Sequence, residues 1–250
     1  MTDKLVSDIS GKTCLIFGAG SDIAAACARK LAAQGYRLVL VNRSTLEFGR
    51  SGPFSEAVAG EYYGVDFASP LEALPTVRQA IVDSKPTLAL IAQGVMHPGA
   101  YAAARIVEMY QCNLVSVALI LDELTKSQQA PQEVIVIGSI AGDRGKEKNP
   151  VYDSSKAGLA TLCQGYRQRL AHRGCRLLLV KPGNVATRMT KDKAHNWTWA
   201  TPERIAEDVA KALGRGGGTI YTPWPWRLVM WIIAAIPEKI FVKFGLGNAN

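Results

Sequence analysis

The chain has little of what would tie it to a metal or to an oxidising compartment. It holds three histidines and five cysteines, at positions 14, 27, 112, 163 and 175. The cysteine count is odd, and no pair has metal-ligand spacing. A disulfide framework and a zinc module are therefore excluded, and the cysteines in apolar surroundings read as reduced core residues of a cytoplasmic protein. The chain also lacks a dense Lys/Arg block and any nucleic-acid-binding motif, which argues against a nucleic-acid partner. Its N-terminus has charges and no apolar run, so no signal peptide is expected. The most apolar part of the C-terminus, Leu228 to Ile236, runs unbroken for nine residues. That is far short of the roughly 20 a spanning helix needs.

What is present is a 250-residue chain with 48% hydrophobic residues, ample for a sizeable core. Its net charge of +8 points to anionic partners such as nucleotides, phosphates or an acidic membrane surface. Strand-like and helix-like segments alternate along the chain, without a linker or a repeat beyond that alternation. The pattern predicts an α/β fold with a doubly wound parallel sheet over residues 1–222, followed by a distinct tail, 223–250.

The first unit is the most informative about a ligand. Thr13 to Phe17 is a strand, Gly18-Ala19-Gly20-Ser21-Asp22 turns into a helix with Ile23, Cys27 and Leu31 on its apolar stripe, and Gly35 ends that helix. Arg37 to Val41 is the second strand. Glycines in such a turn let the backbone approach a pyrophosphate, and the helix N-terminus supplies N–H groups and a positive dipole end. Asp22 and Ala24 stand where glycines are often found. A carboxylate here repels phosphates unless it turns away, for example to cap the helix. The second strand ends in Asn42-Arg43-Ser44 rather than in an acid. An acid there binds a ribose 2′-hydroxyl, whereas Arg43, with Asn42 and Ser44, suits a 2′-phosphate. NADP(H) is the expected cofactor, with NAD disfavoured; a solvated surface arginine is the plain alternative.

Residues 45–60 read as loop or weak helix, and Tyr62 to Val65 as a third strand. Asp66 and Phe67 then border an adenine ring or simply end that strand. Leu71 to Val82 is a helix, irregular at Pro75, and Leu88 to Ala92 a fourth strand. Gln93-Gly94 follows it and allows close approach of a cofactor. Ala103 to Leu124 is expected as one long helix carrying a buried amide, Asn113. Such an amide needs partners: it either ties down helix backbone or holds a water leading to Lys156.

Chemistry is expected from residues 134–156. Val134 to Ile137 is a buried strand ending at Gly138-Ser139, and a polar loop leads to Asn149-Pro150, the N-cap and first position of a helix. Tyr152 and Lys156 are four apart and share a helix face. A phenol with a pKa of about 10 is a poor acid at neutral pH. A nearby ammonium lowers that value, and the tuned phenol exchanges a proton with a carbonyl or alcohol oxygen. Ser139 can bond the same oxygen. Tyr-x-x-x-Lys alone is common, and an ordinary helix with an exposed lysine explains it equally well. After the sixth strand, Arg176 to Val180, the Pro182-Gly183 turn fits beside a flat ring, and Thr187 can bond a carboxamide. Residues 188–200, with Trp197 and Trp199, look like a mobile lid. A helix from Thr201 to about Leu213 and a last strand, Thr219 to Tyr221, follow.

Together Gly18-Ala19-Gly20-Ser21-Asp22-Ile23, Asn113, Ser139, Tyr152-x-x-x-Lys156 and Pro182-Gly183-x-Val185-x-Thr187 resemble the short-chain dehydrogenase/reductase family, over roughly residues 10–222. The resemblance implies a Rossmann fold with seven parallel strands and hydride transfer with a nicotinamide cofactor. It implies that Tyr152 is the acid/base and that Lys156 lowers its pKa and binds the nicotinamide ribose. Ser139 then orients the carbonyl and Asn113 supports a proton-relay water. Gln93-Gly94 departs from the family's usual Asn-Ala-Gly stretch. Asp22 resembles a smaller branch that includes the reductase half of decaprenylphosphoryl-ribose 2-epimerase.

The tail is similar to that branch in its Trp-Arg and Ile-Pro-Glu-Lys-Ile-Phe pattern. Trp224, Trp226 and Arg227 precede the apolar run; Lys239 and Lys243 follow it. That arrangement fits an element lying in a membrane interface, peripheral at the cytoplasmic face. A terminal helix packed on the core or on a second copy is the alternative. The branch implies a polyprenyl-phosphate keto-sugar, whose phosphate would meet Arg144, Lys146, Arg188 or Lys191. A fatty or other lipid carbonyl is the second substrate class, and a non-catalytic NADP-binding scaffold the reading from outside enzymology. A homo-oligomer is expected.

Overall fold

The computed structural model describes residues 11–43, 60–97, 99, 102–192 and 198–245. Ser44, residues 45–59 and Trp197 lie outside the described residues.

Seven strands form one sheet: β1 (Thr13–Phe17), β2 (Arg37–Asn42), β3 (Gly60–Gly64), β4 (Leu88–Ile91), β5 (Glu133–Ile137), β6 (Arg176–Pro182) and β7 (Gly218–Thr222). Their order is β3-β2-β1-β4-β5-β6-β7. Every neighbouring pair is parallel. Parallel strands covered on both faces are apolar throughout, because successive side chains enter opposite cores. In β1, Leu15 and Phe17 join one core, while Cys14 and Ile16 join the other on the opposite face of the sheet. All five cysteines are buried free thiols within these cores or at their edges.

The connecting helices are α1 (Asp22–Ala32), α2 (Pro70–Ser84), α3 (Ala103–Tyr110), α4 (Ser116–Lys126), α5 (Pro150–Ala171) and α6 (Pro202–Ala212). Pro75 sits on an exposed face of α2 and does not end it. The long helix expected from Ala103 is not continuous. A π-helical turn, Gln111–Val115, separates α3 from α4. Its cause is Asn113, which is fully buried and bonded out of the helix to other segments, so the turn widens around it. The stretch from Ala103 to Lys126 is apolar and long enough to cross a membrane. Met109, Val117, Leu121 and Leu124 are nevertheless fully buried along it, as in a core helix.

The chain reverses direction across the sheet between β1 and β4. In an open α/β sheet the ligand crevice lies outside the strand C-termini at this switch point. Phe17 pairs with both Val41 and Ile91, so the loops after β1, β2 and β4 converge there. The tail forms two helices, α7 (Trp226–Ala235) and α8 (Glu238–Lys243).

Candidate active site

A cavity of about 700 Å³ opens at the C-terminal ends of the strands. That volume suits a cofactor or drug-sized ligand. Gly18 begins its floor with φ of 73°, and a Cβ there would overlap the backbone of Gln93. The turn after β1 is thus pressed against the loop after β4, and only glycine fits. Ser21 caps α1, accepting from the Ala24 N–H at 3.0 Å. Asp22 is therefore not the cap. It turns instead to Arg188, whose backbone N and Nε donate to its two carboxylate oxygens at 2.7 Å each. Ile23 lines the same wall.

Asn42 and Arg43 border the cavity where β2 ends. The Asn42 amide lies 2.6 Å from where a Gly20 Cβ would stand, so the second glycine makes room for it. Asp66 and Phe67 line the adjoining edge; Asp66 closes a turn by accepting from the Ala68 N–H at 3.0 Å, and Phe67 packs edge-on to Phe17. Gln93 is buried and donates to Ser116 Oγ at 3.1 Å; beside the cavity, its Oε1 has no partner among the described residues. A buried acceptor left this way fits a donor on a bound ligand. The glycine cradle, the basic end of β2 and this free acceptor all fit a nicotinamide dinucleotide.

Ser139, Tyr152 and Lys156 line one end of the cavity. Ser139 caps a short 3-10 turn, Ile140–Asp143, accepting from the Ala141 N–H at 3.1 Å. Its own hydroxyl proton is directed to the Tyr152 phenol oxygen. Gly142 of that turn abuts α5, where any Cβ would come within 2.6 Å of the Lys156 carbonyl. This contact sets the distance between the serine and the tyrosine–lysine helix. Lys156 Nζ lies 5.8 Å from the Tyr152 ring centroid and donates a long bond of 3.5 Å to Ile137 O. Asn113 accepts from Val95 N at 2.8 Å and donates to Val95 O and to Ser155 Oγ. The amide thus fastens the loop after β4 to α5 rather than tying down helix backbone. Asn149 begins α5, but its side chain makes no cap bond.

The charge states differ from the expectation of an acidified phenol. Burial pushes the Tyr152 phenol up to about 12, although its bond with Ser139 acts the other way. Burial pushes Lys156 down to about 8. Desolvation is the largest cause for both groups, and the Lys156 charge is not among those acting on the phenol.

The four basic residues expected near a substrate phosphate are dispersed. Arg188 is held by Asp22. Arg144 stacks on the Phe241 ring at 4.5 Å and donates to Ala234 O. Lys191 is exposed and does not line the cavity. Lys146 does line it, 3.9 Å from the buried Asp153 carboxylate. Thr187 lines it too, but its backbone and hydroxyl engage Thr190 in a capping box. Pro182, Gly183 and Val185 complete this wall. Of residues 188–200, expected as a lid, the described ones form a 3-10 turn, Arg188–Thr190, and a bridge from Ala200 to Val185, while 193–197 lie outside the described residues. Trp199 faces the cavity.

Sequence reasoning missed Met96, Glu108 and Asp153, which also line the cavity. Burial raises the Glu108 carboxyl, but the Arg105 hydrogen bond and nearby His97 outweigh it and leave it below its ordinary value. Glu108 lies four residues before Cys112, on a helix face adjoining Asn113, and that spacing is the signal that could have found it.

Sheet and site together define a nicotinamide-dependent oxidoreductase. Comparison with known proteins narrows this. The short chain dehydrogenase family matches residues 12–197. An uncharacterized oxidoreductase of Mycobacterium tuberculosis strain H37Rv is 30% identical over 94% of this chain and 98% of its own length. The ketoacyl reductase HetN of a Nostoc species is 30% identical over 83% of this chain and 77% of its own. A Burkholderia cenocepacia short chain dehydrogenase, solved in complex with NADP, superposes with a TM-score of 0.77 at 18% identity, over 94% of this chain and 98% of that one. The chain belongs to the short-chain dehydrogenase/reductase family.

Proposed function

We propose that the chain is an NADPH-dependent reductase of a ketone carried on a lipid, reached at a membrane surface. The carrying observation is the assembly of Ser139, Tyr152 and Lys156 around one end of a dinucleotide-sized cavity. The dinucleotide, when bound, supplies the hydride. Ser139, whose hydroxyl bonds the Tyr152 oxygen, turns that proton to the substrate's carbonyl oxygen and polarises it. Tyr152, protonated across the physiological range, gives that oxygen a proton. Lys156 steadies the phenolate left behind and holds the nicotinamide ribose, and Asn113 fixes the backbone around them.

Preference for NADP rests on Arg43 and on the absence of an acid at the end of β2. The Burkholderia neighbour's NADP complex is in keeping with it. Arg43→Ala is expected to weaken NADPH binding about 10- to 100-fold and leave NADH nearly unchanged, as losing one phosphate contact of about 1.5–3 kcal/mol would. Titration of the two cofactors checks this, and equal losses would remove Arg43 from the role.

The lipid part of the reading rests on the tail, residues 223–250. Trp226 packs over Gly183, leaving no room for a Cβ there, and Phe241 packs under Arg144, so the tail is seated beside the cavity wall. Its outer side is apolar and open: Trp224 is 66% exposed and Trp231 73%, with Leu228, Ile232, Val242 and Phe244 also exposed. Lys239 and Lys243 are exposed on α8, and Arg227 is exposed on α7. Apolar side chains framed by tryptophan and basic residues suit an anionic bilayer interface. The substitutions Trp231→Glu and Ile232→Glu are expected to reduce sedimentation with anionic vesicles at least tenfold while leaving the fold and NADPH binding intact, since both side chains point outward. Undiminished sedimentation would refute the membrane assignment, and a change of oligomeric state instead would identify the face as a contact between copies.

A polyprenyl-phosphate keto-sugar is the favoured substrate, supported by the tail's similarity to the epimerase reductase branch and by the Lys146, Asn149 and Glu108 polar groups lining the cavity. A 3-ketoacyl thioester is the second reading, favoured by the ketoacyl reductase HetN. Turnover of NADPH with each substrate class separates them. We infer a homo-oligomer from Val107 and Val115, exposed along α3 and the π turn.

A further inference from the structure

The turn that would bear the cofactor phosphates carries a carboxylate, and the structure shows how that conflict is resolved. Asp22 opens α1, where free N–H groups and the helix dipole favour a bound anion. A negative side chain suits the bare helix end but opposes a pyrophosphate placed on it. Both Asp22 oxygens are taken by Arg188, through its backbone N and its Nε at 2.7 Å each, and the Arg188 Nη2 reaches on to Gly20 O. The partners are 166 residues apart in sequence, so the pairing is tertiary. Helix capping does not need Asp22, because Ser21 performs it. Arg188 is itself held by its neighbours: Thr187 and Thr190 lock the 3-10 turn that starts with it. Both members of the pair line the cavity.

We propose that Arg188 is a positioning residue of the dinucleotide site: it neutralises Asp22 and turns its carboxylate from the phosphate seat, clasping the glycine turn to the loop after β6. A planar guanidinium held in two-point contact is suited to this, because it fixes direction as well as charge. The inference rests on the dinucleotide reading of the groove. It differs from a direct phosphate contact by Arg188, since the arginine acts through the aspartate.

The test is a double-mutant cycle on NADPH affinity, read by quenching of protein fluorescence, with Arg188→Ala, Asp22→Ala and the double variant. Arg188→Ala is expected to weaken binding about tenfold or more, by baring a like charge at the phosphate seat. Asp22→Ala is expected to bind as well as the parent or better. The double variant should recover most of the loss, and the Arg188→Ala defect should shrink as salt is raised. A double variant as weak as Arg188→Ala, or an Arg188→Ala protein that binds normally, would overturn the proposal. Should Arg188→Ala unfold, Arg188→Lys, which keeps the charge but loses the fork, replaces it and is expected to be rescued by Asp22→Ala in the same way. Failure of the parent protein to bind NADPH would instead sink the dinucleotide reading, so the two failures are distinct.

Discussion

Tyr152→Phe is expected to lower NADPH-dependent carbonyl reduction by about 10³-fold, within the range that a positioned general acid contributes. The phenylalanine keeps the ring and removes only the group that protonates the substrate oxygen. NADPH affinity should remain within about threefold of the parent, because the glycine turn, Arg43 and Lys156 are untouched. Single-turnover measurements with saturating cofactor check both parts. Ser139 would still polarise the carbonyl, so a residual rate is expected. Full activity in Tyr152→Phe would remove the proposed acid, and an undisturbed cellular role would favour the non-catalytic scaffold.

Lys156→Met is expected to abolish turnover while making the fold more stable at pH 7. The lysine's pKa falls from its ordinary 10.5 to about 8 in the folded chain, because burial penalises the ammonium. At about 1.4 kcal/mol per unit, charging it in the fold costs about 3 kcal/mol, as an upper bound before relaxation. The 3.5 Å bond to Ile137 O offsets little of that. Below pH 8 both folded and unfolded chains carry the charge, and the cost is complete. Between pH 8 and 10.5 the unfolded chain binds more protons, so stability of the parent rises with pH across that window. The methionine variant lacks that slope. A gain of about 5 °C in Tm at pH 7, vanishing toward pH 10.5, is the expected calorimetric result. A loss of Tm would mean that the ammonium is held by bonds stronger than its desolvation. In the parent, reduction should also decline as pH rises through about 8, where the ammonium that steadies the phenolate is lost.

The inner strands β1, β2, β4, β5 and β6 were legible because a sheet buried on both faces demands short apolar runs rich in β-branched residues; the edge strands β3 and β7 carry a weaker signal. Helix boundaries were less so. The break at Asn113 has no local sign, since its cause is Val95 and Ser155, far away in the chain. The expectation that Lys156 acidifies Tyr152 treated the pair in isolation. Burial acts on both groups at once and reverses the sign, and burial is not a property of spacing. Asp22 illustrates the same gap: its position flagged a conflict with phosphate, but its partner lies on another loop.

From sequence alone came the doubly wound parallel class, the Ser139-Tyr152-Lys156 set, the basic end of β2 and the amphipathic tail, because each is written in local spacing, turn chemistry or residue type. Tertiary structure decided which charges meet. It paired Arg188 with Asp22, placed Arg144 on Phe241, brought Glu108 and Asp153 to the cavity, and seated Trp226 over Gly183. Those outcomes depend on contacts between segments distant in the chain and on the water each contact excludes, and neither is encoded in any single stretch.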